Sequence, residues 1–264
     1  MAKVQGRFET IKTVAVAVAL AVIFRSFLFE PFHIPSGSMK DTLLVGDFIF
    51  VSKYSYGYSR YSFPLGLPII EGRVGGFNEP ERGDIIVFRL PRSPRIDYIK
   101  RLIGMPGDKI QMKNGVLYIN GKAVPKERVE DYVEHFPGDK TRIRHIPKFR
   151  DTLPNGVSYY VLDEYNNPEA DDTKVFTVPE GHYFFMGDNR DNSIDSRFQD
   201  DVGFVPLENM VGPAGLMALS VEEGNSLLAF WKWGSSLRFE RFGTWLNTQE
   251  GEEPAKSSTA KEAK

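Results

Sequence analysis

An uncharged apolar run near the N-terminus constrains this chain most. Residues 13–24 read TVAVAVALAVIF and are flanked by Lys12 and Arg25. The run is short for a bilayer, which needs about 20 residues. Lysine and arginine side chains reach towards the headgroups, however, so residues 11–29 are long enough to cross. We therefore predict one transmembrane anchor over residues 11–29.

The charges around this run predict its orientation. Lys3, Arg7 and Lys12 precede it, and basic residues favour the cytoplasmic side. Residues 1–10 are therefore expected in the cytoplasm and the bulk of the chain outside it. A cleaved secretory signal is the alternative. Because the Ala-x-Ala patterns lie inside the run rather than after it, we favour an uncleaved anchor in the lipid bilayer.

The rest of the chain has the pattern of an all-β protein. Short apolar runs alternate with turn residues, and Asn-Gly pairs at 114–115 and 120–121 predict tight hairpin turns. We predict strands at six places: residues 48–52, 85–88, 96–99, 116–119, 158–161 and 183–186. The expected fold is an antiparallel-sheet catalytic core with an inserted, smaller β-rich subdomain after one transmembrane helix.

Shifts in composition suggest the domain boundaries. The core is expected at residues 30–110 and 176–222, and a more polar, basic insert at 111–175. Residues 223–247 are aromatic and hold all three tryptophans, interleaved with basic residues. Such a segment suits either a C-terminal core or a membrane interface, and both interpretations stay open. Residues 248–264 are poor in apolar side chains and are expected to be disordered.

Overall composition excludes some kinds of chemistry. The chain has 264 residues and a formal net charge of −2, so it shows no general affinity for nucleic acid. It has no cysteine, which excludes disulfides, thiolate catalysis and cysteine-based zinc sites. The histidines form no zinc motif. The sequence therefore predicts no metal and no organic cofactor.

Ser38 is the candidate nucleophile because it lies in the stretch PSGSM, residues 35–39, shortly after the apolar run. A serine hydroxyl needs an adjacent base. None of the four histidines lies in a recognisable triad setting, and the chain has no G-x-S-x-G elbow. A lysine acts as a base only if burial lowers its pKa. Lys100 follows an apolar strand and suits that role, although these residues alone favour the other explanation, an edge-strand lysine that limits aggregation. Lys40 is nearer in sequence, but the adjacent Asp41 is expected to keep it charged.

Residues 186–197, MGDNRDNSIDSR, form a loop rich in hydrogen-bonding and charged groups. Asn189, Asp191, Ser193 and Asp195 alternate as calcium ligands do. An EF-hand pattern then needs glycine at Ile194 and glutamate at Asp200, which argues against calcium.

Four blocks, in order, resemble the bacterial type I signal peptidases. These enzymes are membrane-bound serine proteases that remove signal peptides from exported preproteins. The blocks are residues 35–47, 82–88, 97–108 and 187–197. The resemblance covers the anchor-proximal segment, residues 30–110 and residues 180–215. It implies a single-pass protein of the inner membrane, with exported preproteins as substrates and its catalytic domain on the extracytoplasmic side. The oligomeric state stays open.

The resemblance also implies a role for each matching residue. Ser38 corresponds to the nucleophile and Lys100 to the general base of a Ser/Lys dyad. The Ser36 hydroxyl and the Ser38 backbone N–H correspond to the oxyanion hole. Ser193 would orient the lysine, while Asp195 and Arg197 would pair and hold the last block against the site.

Pockets that select Ala-x-Ala sequences would draw on apolar side chains, and residues 96–99 would bind the substrate by strand addition. The matching apolar positions are Phe32, Ile34, Met39, Leu43, Ile49, Val87, Tyr98 and Ile99. Two departures stand out: Asp41 replaces a frequent proline, and the stretch of residues 198–203 is longer than usual.

Two other functions are kept as alternatives. One is a membrane-tethered β-domain that binds exported or envelope proteins without cutting them. The other is a self-cleaving repressor-like protease.

Overall fold

The computed structural model describes residues 2–63, 70–136, 139–225 and 233–246. Helix α1 (Ala2–Phe27) comes first, and its segment Glu9–Phe27 is long and apolar enough to cross a membrane. Most of its apolar side chains are exposed, which suits a lipid environment better than a protein core. Two short helices, α2 (Pro168–Asp171) and α3 (Trp233–Ser236), occur later in the chain.

The remainder is mostly strand, which confirms the predicted all-β class. In chain order the strands are β1 (Phe29–His33), β2 (Asp47–Ser52), β3 (Tyr58–Ser59), β4 (Arg73–Val74), β5 (Ile85–Leu90), β6 (Ser93–Gly104), β7 (Lys109–Lys113), β8 (Val116–Ile119), β9 (Lys122–Ala123), β10 (Lys126–Arg128), β11 (Tyr132–Phe136), β12 (Asp139–Ile146), β13 (Lys148–Thr152), β14 (Ser158–Leu162), β15 (Phe176–Thr177), β16 (His182–Met186), β17 (Val205–Pro206) and β18 (Met210–Ser220).

One antiparallel sheet carries the candidate chemistry. Its strand order is β1-β2-β18-β5-β6-β16-β17. All six predicted strands are present, four of them in this sheet. The central strand β18 escaped prediction because Gly212 and Pro213 interrupt its pattern, and both residues are rare inside central strands. Gly212 fits there because a Cβ at that position would lie 2.3 Å from the Ser52 carbonyl oxygen.

Smaller sheets pack on the large one. The sheet β15-β7-β8-β9 has the predicted hairpin turns, in which Asn114, Gly115, Asn120 and Gly121 adopt positive φ. Its apolar residues share one core with strands β6 and β16: Ile103, Phe184 and Met186 pack in the same cluster as Ile110, Leu117 and Ile119. The sheet β10-β13-β14 and the hairpin β11-β12 complete the segment predicted as an insert.

The C-terminal aromatic segment is described at residues 223–225 and 233–246; residues 226–232, residue 247 and the tail predicted to be disordered, 248–264, lie outside the described residues. Leu246 packs against the core that contains Ile34 and Met39. Trp233 and Trp245 are exposed. The segment thus contributes one side chain to the core and presents aromatic rings at the surface.

Candidate active site

Ser38 and Lys100 meet although 62 positions separate them in the chain. Ser38 lies in the loop between β1 and β2, whereas Lys100 lies within β6. Lys100 Nζ is 2.6 Å from Ser38 Oγ. Ser38 is 7% exposed and Lys100 is 2% exposed. The fold therefore places an amine in direct contact with the hydroxyl, at a distance suited to proton transfer.

The surroundings of Lys100 favour its neutral form. Nζ also donates a hydrogen bond of 3.0 Å to the Ile99 carbonyl and lies 5.1 Å from the centre of the Tyr98 ring. Burial lowers the Lys100 pKa from 10.5 to about 8, and the Asp195 and Asp188 carboxylates oppose part of that change. About a tenth of the amine is then neutral at pH 7, which makes it an accessible base.

The Ser36 hydroxyl lies beside the same serine. Ser36 Oγ is 3.4 Å from Ser38 Oγ, and the Ser36 side chain is exposed. It is therefore free to turn towards a carbonyl oxygen placed at Ser38. Together with the Ser38 backbone N–H it has the chemistry of an oxyanion hole.

The loop at residues 187–197 packs behind Lys100. Arg197 holds the fully buried Asp195 carboxylate at 2.9 Å, and the Ser193 hydroxyl donates to that carboxylate at 2.8 Å. Burial raises the Asp195 pKa, but Arg197 outweighs it and leaves this pKa below its usual value. Because Ser193 donates its proton to Asp195, its oxygen can act only as an acceptor for another group. A bond from Lys100 to Ser193 stays a prediction.

A second buried ion pair braces the site, and it involves residues to which the sequence analysis assigned no role. Arg101 donates to both oxygens of Asp188, at 2.8 and 2.7 Å. The Thr42 hydroxyl donates to Asp188 at 2.5 Å. Strand β6, the loop after Ser38 and the loop at 187–197 are thus joined at one carboxylate. Arg101, Asp188 and Thr42 all lie inside the four sequence blocks. The blocks therefore marked these residues, although the sequence did not show that Arg101 and Asp188 form an ion pair.

The backbone of the nucleophile loop is also fixed from the 187–197 loop. Asn189 donates from its backbone N–H to the Ser38 carbonyl and from its side-chain amide to the Gly37 carbonyl, both at 3.1 Å. Gly187 is packed so closely that a Cβ would lie 2.2 Å from Ser193 Oγ and 2.6 Å from the Ser38 carbonyl oxygen. Only glycine fits this close approach.

The apolar residues expected to bind substrate mostly gather in one cluster. Tyr98 instead packs against a neighbouring cluster on the other side of β6. The seven that meet are Phe32, Ile34, Met39, Leu43, Ile49, Val87 and Ile99. Six of the seven are 9% exposed or less, and their role in substrate binding stays a prediction.

Strand β6 offers an edge next to Lys100. Residues 97–101 pair with β5 on one side, from Arg89↔Asp97 to Ile85↔Arg101. Pairing with β16 on the other side begins only at Arg101. In the described part of the chain, the second edge of residues 96–99 therefore stays available, as strand addition requires.

The predicted insert reaches the site through two ion pairs. Lys40 Nζ lies 2.6 Å from Glu134 on β11, and Asp41 pairs with Lys148 on β13 at 2.9 Å. The sequence analysis attributed the charge of Lys40 to Asp41. The partner in that prediction was wrong. The carboxylate beside Lys40 is that of Glu134, because the fold brings the insert over this loop. Because its amine pairs with a carboxylate, Lys40 is not placed to act as the base.

Comparisons with known proteins identify the family of the chain. The model of the family described as "Signal peptidase, peptidase S26" matches residues 7–219. Signal peptidase I of Rickettsia typhi is 46% identical over 213 residues, covering 78% of this chain and 77% of that protein. Signal peptidase I of Rickettsia canadensis is 41% identical over 257 residues, covering 90% and 94%. A solved signal peptidase I from Enterococcus faecalis is 32% identical, with a TM-score of 0.30, over 52% of this chain and 97% of that one.

These matches define the chain first as a peptidase of the S26 class. The chain belongs to the signal peptidase family, as its four sequence blocks predicted, and within it to the bacterial type I signal peptidases. The alternative of a tethered β-domain without catalytic activity is not favoured.

Proposed function

We propose that Ser38 and Lys100 form the dyad with which this signal peptidase removes signal peptides from exported preproteins. Neutral Lys100 accepts the Ser38 proton as Ser38 Oγ attacks the scissile carbonyl carbon. The Ser36 hydroxyl and the Ser38 N–H stabilise the resulting oxyanion. The protonated Lys100 then donates its proton to the departing amine. Neutral Lys100 then deprotonates a water molecule, which hydrolyses the acyl-enzyme and restores the Ser38 hydroxyl.

The observation that carries this proposal is the 2.6 Å contact between Lys100 Nζ and Ser38 Oγ in a buried setting. A lysine that only protects a sheet edge would be solvated and charged. Here the amine faces a hydroxyl, and burial has lowered its pKa to about 8.

The proposed substrate mode follows from the open edge of β6. An extended preprotein segment would add to residues 96–99, and its small side chains at the −1 and −3 positions would contact the apolar cluster around Ile34, Met39 and Val87. Shallow pockets favour alanine because larger side chains have no space there. Cleavage after Ala-x-Ala sequences is therefore expected.

The test is cleavage of a preprotein by single variants of the full chain in detergent. Ser38→Ala and Lys100→Ala should abolish processing, whereas Lys40→Ala, which removes the nearest lysine in sequence, should retain it. Complete processing by either of the first two variants would disprove the dyad. Loss of activity in Lys40→Ala alone would transfer the base role to Lys40.

We further propose that α1 anchors the protein in the bilayer with the catalytic domain on the extracytoplasmic side. The exposed apolar surface of α1 and the basic residues before it support this. The chain lacks cysteine, so single variants can report the topology. A membrane-impermeant maleimide should label Glu169→Cys in intact cells, and label Val4→Cys only after permeabilisation. The reverse pattern would invert the proposed orientation.

A further inference from the structure

Three carboxylates meet where the insert touches the 187–197 loop. They belong to Asp163, just after β14, to Asp171 in α2 and to Asp191 in the loop. One oxygen from each lies within 4.8 Å of the others. Three separate segments of the chain thus converge on one point.

Two of these carboxylates each keep one buried oxygen without a hydrogen bond. Asp171 is 3% exposed; its Oδ2 accepts the Asn167 N–H at 2.7 Å, while its Oδ1 is buried and has no partner among the described residues. Asp191 repeats the arrangement: Oδ2 accepts the backbone N–H groups of Glu164 and Tyr165, and Oδ1 is buried without a partner there. A buried carboxylate oxygen left unpaired is costly, and native structures rarely keep one without a hydrogen-bonding group, a water or an ion beside it.

Asp163 has a basic partner at this point, whereas Asp171 and Asp191 form no ion pair with any of the described residues. Lys126 contacts Asp163 and donates to the Gly115 carbonyl. Burial raises the pKa of both Asp171 and Asp191 and the Asp163 carboxylate adds to the rise, while hydrogen bonds from backbone N–H groups and the Arg197 charge offset part of it. A like-charged group of this kind is stabilised by a cation or by a proton.

We propose that Asp163, Asp171 and Asp191 bind one divalent cation, with calcium preferred. Carboxylate oxygens are the ligands of hard cations. Calcium accepts protein oxygens in a flexible geometry, whereas magnesium usually keeps several waters and is seldom held by protein oxygens alone. The three carboxylate oxygens lie within 4.8 Å of one another, close enough to share one ion, and this all-protein set of ligands favours calcium.

This site differs from the alternating loop ligands weighed in the sequence. Asp191 alone is shared between the two, and Asp195 is already bound by Arg197. The cation would join the insert to the loop that carries Ser193, two residues after Asp191. It would therefore brace the support behind Lys100 without taking part in the chemistry.

The experiment measures calcium binding and thermal unfolding of the full chain in detergent after treatment with EDTA. Wild type should bind one calcium ion per chain by isothermal titration calorimetry. Saturating calcium chloride should raise Tm by about 5 °C, and magnesium chloride should raise it less. Asp171→Asn and Asp191→Asn should lose both the bound ion and the shift. Glu169→Gln removes an exposed carboxylate from the same helix and should keep both.

Calcium binding that survives in Asp171→Asn and Asp191→Asn would place the ion elsewhere and overturn the proposal. So would a wild type that binds no calcium at millimolar concentration, since the carboxylates would then share a proton. If Asp171→Asn fails to fold, Asp191→Asn, at the more exposed ligand, decides the question by the same measurements. The proposal stands independently of the dyad, because binding is measured without substrate.

Discussion

Two lysines of the large sheet are buried to nearly the same degree but have different neighbours. Lys53, next to the end of β2, is 3% exposed; its Nζ lies 2.6 Å from the Glu30 carboxylate and donates to the Ser62 carbonyl at 2.8 Å. Lys100, in β6, is 2% exposed, and its Nζ contacts the Ser38 hydroxyl and the Ile99 carbonyl. Burial lowers the pKa of both.

Burial alone therefore does not make a lysine a base. At Lys53 a carboxylate in direct contact compensates the charge, so the pair is a structural link between β1 and β2 near the end of α1. At Lys100 the direct partners are neutral, and a proton can leave without breaking an ion pair. The following predictions test this contrast, beginning with the largest effect.

Lys100→Met should lower kcat/KM for a preprotein by about 10⁴-fold, because it removes the base while keeping the apolar stem. Lys53→Met makes the same change at the other buried lysine and should stay within about threefold of wild type. Steady-state cleavage by both purified variants checks this. Equal losses in the two variants would abolish the distinction between them.

The pH dependence of kcat/KM should report the Lys100 pKa. The neutral amine is the reactive form, so activity should rise with pH and level off above an apparent pKa of about 8. Below that value it should fall about tenfold per pH unit. An Ala-x-Ala peptide assay gives the profile, with Lys40→Ala as the matched control showing the same limb. A limb near 10.5 would mean that the amine is solvated.

Stability should change in opposite directions at the two lysines. In the fold the Lys100 pKa is about 8, against an ordinary 10.5, so the unfolded chain binds this proton more tightly. The charged amine therefore destabilises the fold by up to about 3 kcal/mol at pH 7, and this loss is recovered as the pH rises from 8 to 10.5. Lys100→Met should be more stable than wild type at pH 7. Lys53→Met should lose about 3 kcal/mol of unfolding free energy, because the Glu30 carboxylate stays buried after its Lys53 partner is removed. Urea unfolding at pH 7 and pH 10 measures both.

Glu30→Gln should make the surroundings of Lys53 resemble those of Lys100. Without the carboxylate, the Lys53 pKa should fall further, since burial then acts with less opposition. We expect a loss of about 2 kcal/mol at pH 7 that shrinks towards pH 10, where the amine is neutral, and little change in cleavage rate. A loss independent of pH would show that Glu30 contributes only packing.

Much of the fold was predictable from local pattern. Short apolar runs located β2, β5 and β16, and Asn-Gly pairs located the turns around β8 because they readily adopt positive φ. Strand β18 could not be predicted in the same way. It is held in the sheet by pairing with β2 and β5, which overrides the unfavourable glycine and proline within it.

The sequence by itself determined the family, the apolar helix at the start and the identity of Ser38 and Lys100 as candidates, because these depend on residue type and order. Only the tertiary structure decided that Lys100 is buried against Ser38, that Asp188 joins Arg101 to Thr42, and that Glu134 pairs with Lys40. Each depends on residues far apart in the chain. A lowered pKa, a buried ion pair and a cation site arise from neighbours in space, which residue order alone does not specify.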